Sequence, residues 1–132
     1  MDQEQGALPG DLESLLSHLA REEYCYLTTR GRVTGRPHEI EIWFGLQGSM
    51  LYFLSGGGES SDWVKNMHAD PAVQVRIAGQ TLAGRARFTM GTDEEHMARR
   101  LLASKYQNWR EGRRLSEWAR TALPVAVQIS TG

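Results

Sequence analysis

Six short apolar stretches, each closed off by glycine, proline or a polar turn, run from Tyr24 to Ile129 and restrict the possible folds more than any other feature. Ile40, Ile42 and Phe44 alternate with Glu39, Glu41 and Trp43; Val73, Val75 and Ile77 alternate likewise, as do Val125, Val127 and Ile129 with Ala126 and Gln128. A period of two turns one face of each strand inward and the other outward. Tyr24 to Thr29, Met50 to Leu54 and Thr81 to Met90 supply the other three strands, the last with Leu82, Ala86 and Phe88 on one face. Turns at Gln47-Gly48-Ser49 and Ala78-Gly79-Gln80 make neighbouring strands antiparallel. Curling up on itself buries both the apolar face and the edges of such a sheet. The expected fold is α+β: a small, six-stranded, mostly antiparallel barrel with flanking helices.

The helices have their own signals. Leu12, Leu15, Leu16 and Leu19 share one face of a helix, with Pro9 and Asp11 as start signals. A short helix is expected from Trp63 to Ala69, after the cap residues Ser60, Ser61 and Asp62 and before Asp70-Pro71. Thr92 and Glu95 form a capping-box pattern for a longer helix from Asp93 to about Trp109. Gly112 interrupts it, a further turn carries Leu115, Trp118 and Ala119, and Pro124 precedes the last strand. Residues 1–9 read as a polar tail and 10–132 as one domain.

Composition narrows the function classes. Fifteen Lys and Arg against 16 Asp and Glu leave a net charge of −1, which gives no overall pull toward nucleic acid. The apolar runs are too short to span a bilayer. The polar, acidic start lacks a leader pattern, so a cytoplasmic location is expected. The lone cysteine, Cys25, excludes an internal disulfide framework and a cysteine zinc site, and between Tyr24 and Tyr26 it reads as a buried thiol. Four histidines (His18, His38, His68, His96) show no metal-ligand spacing, so no metal is expected. No Walker lysine or G-x-G-x-x-G follows a strand. Glu39 and Glu41 share one strand face and read as barrel exterior rather than an acid–base pair. No self-contained catalytic residue emerges.

Two elements suited to holding a ligand remain. In Thr29-Arg30-Gly31-Arg32-Val33-Thr34-Gly35-Arg36, three arginines stand together with no acid between them, after 24 residues that carry six acids and one base. Guanidinium forks and exposed backbone suit phosphate or carboxylate oxygens. In Ser55 to Asn66, a glycine run feeds a helix start, where free N–H groups favour an anion or an electron-rich carbonyl. Trp63 adds an aromatic plane. Both elements follow strands read as neighbours, so they are expected to meet at one end of the barrel.

These residues carry a resemblance. Thr28 to Pro37, Ser55 to Gly58, Asp62 to Val73, Gln74 to Gly79, the acidic helix start Asp93-Glu94-Glu95 and the closing Leu123 to Val127 are together similar to the deazaflavin-dependent nitroreductase family. Its members are split-β-barrel flavin and deazaflavin oxidoreductases related to pyridoxamine-phosphate oxidase, and the likeness covers about residues 24 to 129. The resemblance implies a split barrel binding coenzyme F420, with Arg30, Arg32, Thr34, Gly35 and Arg36 at its phosphate. It places Ser55, Gly56, Gly57, Gly58, Ser61, Trp63 and Asn66 along the tricyclic ring, and Tyr106, Trp109 and Trp118 on the substrate side. The reduced cofactor would pass a hydride to a small electron-poor acceptor: a quinone, nitroaromatic or activated enone. Split barrels pair as dimers, so a homodimer is an expectation too. Val33 and Gly56 stand where the family commonly has lysine, and fewer cations favour an FMN-binding oxidoreductase as the alternative. A non-catalytic flavin or haem module is the third reading, with His38 or His68 as axial ligand.

Overall fold

The computed structural model describes residues 12 to 130. The tail expected at residues 1–9 and the start signals Pro9 and Asp11 lie outside them. Seven strands form one sheet: β1 (Cys25–Arg30), β2 (Pro37–Ile42), β3 (Gly45–Gln47), β4 (Met50–Ser55), β5 (Ala72–Ile77), β6 (Gln80–Phe88) and β7 (Leu123–Ile129). Their order is β2-β1-β5-β6-β7-β4-β3, and every pair is antiparallel. Four helices accompany them: α1 (residues 12–19), α2 (Asp62–Ala69), α3 (Asp93–Gln107) and α4 (Glu117–Thr121).

The sheet closes because of one short connection. β2 and β3 are separated only by Trp43 and Phe44, yet they occupy opposite ends of the strand order. Ile42 and Gly45 therefore lie within roughly 11 Å of each other, and the two sheet edges must meet. The result is a split barrel. The six-strand expectation becomes seven strands because the stretch Ile40 to Phe44 is broken, its first half pairing with β1 and its continuation with β4.

Phe44 itself explains the break. Its N–H donates to the Tyr106 hydroxyl (3.0 Å), and its carbonyl accepts from Lys105 Nζ (3.0 Å). Two side chains of α3 thus take the backbone groups that a continuous ladder would use. Pairing with β4 stops at Gly45 opposite Tyr52, and beyond it the strands diverge.

Two apolar layers follow from this layout. Inside the barrel, Leu27, Phe44, Leu51, Phe53, Val75, Ile77, Val125 and Val127 pack with Val64 and Met67 of α2 and with Leu16 and Leu19 of α1. Outside it, Tyr52, Leu54 and Ala126 are covered by Ala98 and Leu102 of α3 and by Ala122. That cover makes β4 apolar on both faces, whereas β1 and β5 alternate because their outer faces meet water. Cys25 is fully buried as expected, and burial pushes its thiol up to about 12.

Local signals held with shifts at the ends. Thr92 caps α3 by accepting from Glu95 N–H, while the Glu95 carboxylate reaches back to Gly91 N–H rather than to Thr92. The helix ends at Gln107, short of Trp109, because Asn108 turns left-handed (φ 58°). Pro124 lies inside β7, not before it. Arg99, 5% exposed, donates to the carbonyls of Ala119 and Ala122 and pairs with Glu95, fixing α4 on α3.

Candidate functional site

The arginine loop is a wound turn with only part of its backbone left to offer. Gly31 N–H donates to the Arg36 carbonyl (2.7 Å), Gly35 N–H to the Gly31 carbonyl (2.8 Å), and Arg36 N–H to Thr34 Oγ1 (3.2 Å). Glycine is required twice. A Cβ at Gly31 would lie 2.6 Å from the His38 ring, and Gly35 sits at φ 77°. The donors still free are the Arg30 and Arg36 guanidinium groups, the Thr34 hydroxyl proton and the backbone N–H groups of Val33 and Thr34. Arg30 and Arg36 are exposed and form no ion pair among the described residues.

Arg32 behaves differently. Its guanidinium donates to Asn66 Oδ1 (2.8 Å) and pairs with Asp62 Oδ1 (3.1 Å), and its backbone N–H also reaches Asn66 Oδ1 (3.2 Å). Asn66 is 2% exposed and gives its own N–H to Thr29 Oγ1 (3.0 Å). One buried amide therefore staples the loop to α2. β1 and β4 are not neighbours, contrary to expectation, since three strands lie between them. Through this staple the loops that follow them still share one end of the barrel.

The glycine run lies next along α2. Ser55 Oγ donates to the Gly58 carbonyl (3.1 Å) or shares a proton with Ser61 Oγ (2.8 Å). Ser61 is the N-cap residue of α2 but makes no capping bond with its side chain, which faces Ser55 instead. Ser61 therefore leaves the start of α2 without a side-chain cap, and the acidic residue of its first turn, Asp62, is engaged with Arg32. A Cβ on Gly57 would strike Ser61 Oγ at 2.6 Å, whereas Gly58 (φ 60°) opens onto free space. Trp63 packs edge-on to Phe53 (6.2 Å) and closes the barrel beneath the run.

On the far side of the run is the mouth of the split. Where β2 and β4 diverge, Glu41, Ile42, Trp43, Leu54, Gln107 and Trp118 line a pocket of about 380 Å³. Trp43 stacks flat on Tyr106 (4.2 Å, 1°) and meets Trp118 edge to face (5.6 Å, 87°). Trp118 lies beside Gly56, whose Cβ would sit 3.7 Å from the indole. Ser116 places it by capping α4 at Ala119 N–H while bonding Gln107. Burial raises the Tyr106 hydroxyl to about 12 and lowers Lys105 to about 8.

Trp118 thus lines this pocket, Tyr106 backs it by stacking on Trp43, and Trp109 is not among its lining residues. Its indole N–H closes the α3–α4 loop onto the Arg113 carbonyl (2.7 Å). Trp43 and Glu41 also line the pocket, and the sequence had singled out neither as a candidate there. The available signal was a tryptophan on the polar side of an alternating strand. His38 lies against Gly31, and His68 stacks on Phe88 and bonds Glu59, so neither lines the aromatic pocket.

The fold is shared by proteins of varied chemistry. It is similar to an F420-H2 dependent reductase (20% identity, 82% of this chain and 94% of the other, TM-score 0.61). It is also similar to a FAD-binding protein from Mesorhizobium loti (18%, 91% and 87%, TM-score 0.63) and to a heme storage protein from Vibrio cholerae (14%, 92% and 92%, TM-score 0.69). At such identities these likenesses establish the architecture and leave the cofactor to sequence-level evidence. That evidence is a family model matching residues 13–130, nearly the whole described chain. The chain belongs to the F420H(2)-dependent quinone reductase family, an oxidoreductase family whose cofactor is coenzyme F420.

Proposed function

We propose that this protein holds coenzyme F420 with its phosphate and acidic tail at Arg30, Arg36 and Thr34. Its tricyclic ring lies along Ser55 to Gly58, and a small electron-poor acceptor sits in the pocket of Trp43 and Trp118. The acceptor is a quinone, a nitroaromatic or an activated enone. When bound in reduced form, the cofactor supplies the hydride. The polypeptide supplies placement.

The observation that carries this reading is adjacency. Arginines with no ion pair among the described residues, a glycine ledge at the start of α2 and an aromatic pocket succeed one another from the tip of the β1–β2 hairpin to its base, joined by the Asn66 staple and by Gly56 beside Trp118. The donor set fits the cofactor. Two free guanidinium groups and a hydroxyl suit a phosphodiester, and Gly58 leaves open space where a flat ring can approach backbone. Asn66 and Arg32 orient the loop, Ser55 and Ser61 brace the ledge, and Trp63 closes its base. Gly56, Gly57 and Gly35 keep the approach free of side chains.

Titration of the purified protein with F420 and with FMN, side by side, tests this reading. F420 is expected to bind in preference. Changing Arg30 and Arg36 together to alanine should weaken F420 binding by roughly tenfold or more, at about 1.5 kcal/mol per charge-assisted contact discounted for exposure. Tm should stay within a degree or so, because neither arginine forms an ion pair among the described residues. Unchanged affinity would remove the loop from the site. Arg32 is unsuited to this experiment, since its loss also breaks the staple to α2.

A further inference from the structure

The aromatic pocket has a carboxylate that no ion pair among the described residues neutralises, and the cation nearest its stacked rings, Lys105, is held behind Tyr106 by the Phe44 carbonyl. Of the pocket's lining residues, Glu41 alone is ionisable. Glu41 makes no ion pair among the described residues, because the nearby Arg76 is engaged with Glu39 (3.1 Å) and lies over the Tyr26 ring (4.4 Å). Beside the carboxylate stand two indoles at right angles, and Trp43 is immobilised by flat stacking on Tyr106 while remaining 43% exposed. The face of an indole carries negative potential, and a cation over it gains about 0.5–1 kcal/mol when exposed and more when desolvated. An unbalanced carboxylate at the same mouth adds to that attraction and has the same sign.

We propose that this pocket selects planar organic cations, N-alkylated fused aromatic rings with a delocalised positive charge, over neutral rings of equal shape. The inference rests on the reading that the pocket is the acceptor side of the F420 site. Such cations are good hydride acceptors. Hydride transfer breaks one C–H bond of the reduced deazaflavin and forms one on the acceptor ring with the same electron pair, so the acceptor becomes neutral and the deazaflavin returns to its oxidised form with release of one proton. The product then lacks the charge that drew the acceptor to Glu41, so binding weakens at the moment the reaction is complete.

The test is calorimetric titration with N-methylacridinium and with acridine, at a pH where acridine is uncharged and with no cofactor present. The wild-type protein should bind the cation about tenfold more tightly than its neutral counterpart. Glu41→Gln should cut that preference to two- or threefold, and Trp43→Leu, checked for an intact thermal transition, should weaken the cation further. Equal binding of the two rings by the wild type, or a preference that survives Glu41→Gln, overturns the proposal. A parallel F420 titration separates the two ideas. F420 binding without a cation preference refutes only the selectivity. A cation preference without F420 binding supports the selectivity and removes the reductase reading.

Discussion

Single residues at this site are committed to architecture or left available, and the difference can be measured. Asn66 is committed, because its amide bonds Thr29, the Arg32 side chain and the Arg32 backbone while almost fully buried. Asn66→Leu strands the Thr29 hydroxyl and the Arg32 N–H, so a loss of about 2–3 kcal/mol in urea unfolding is expected. F420 binding should weaken in the same variant as the loop comes away from α2. Glu94 is committed by charge. Its bonds from Arg87 and from the Tyr52 hydroxyl hold it below the usual carboxylate range, against a smaller opposing effect of burial. Because its folded pKa lies below its unfolded one, Glu94 contributes stability that is complete above the ordinary carboxylate value and is lost as pH falls through the folded value. Tm measured from neutral pH into acid should therefore fall less steeply for Glu94→Gln than for the wild type. Equal slopes would show that the triad adds nothing.

At the scale of elements, α3 is a wedge as much as a cover. Tyr106 and Lys105 hold the Phe44 backbone, and the pocket exists because β2 cannot continue along β4. Tyr106→Phe keeps the stacking surface but leaves Phe44 N–H without its acceptor, so about 1–2 kcal/mol of stability should go. Quenching of the exposed Trp43 by acrylamide should change as well; an unchanged value would mean that the wedge does not hold the mouth. None of this is legible in the chain. Ile40, Ile42 and Phe44 keep their period straight through the break, which depends on a tyrosine 62 positions downstream. The arginine and glycine runs were legible because their chemistry is local. Turns, charge and missing side chains all reside within a few residues. Arg32 was legible as a cation and not as a staple, since its partners lie 30 and 34 positions away. Trp43 was counted with the polar face of its strand, and only the divergence of β2 from β4 turns that face into a pocket wall.

At the scale of the whole molecule, strand order governs. β7 is the last strand among the described residues, yet it sits between β6 and β4, pairing Gly84 with Ile129 on one side and Ser55 with Leu123 on the other. Deleting residues 123–130 would leave two open apolar edges in place of one barrel. Such a truncation should show no cooperative thermal transition and should elute as aggregate in size-exclusion chromatography; a soluble, cooperatively melting product would contradict the topology. The same order has a consequence for synthesis. As the chain emerges from the ribosome, β1, β2, β5 and β6 can assemble as one sheet and β3–β4 as a separate hairpin before β7, the piece that joins them, has been made. Closure must wait for β7, and through that interval the nascent protein depends on whatever shields its unpaired edges.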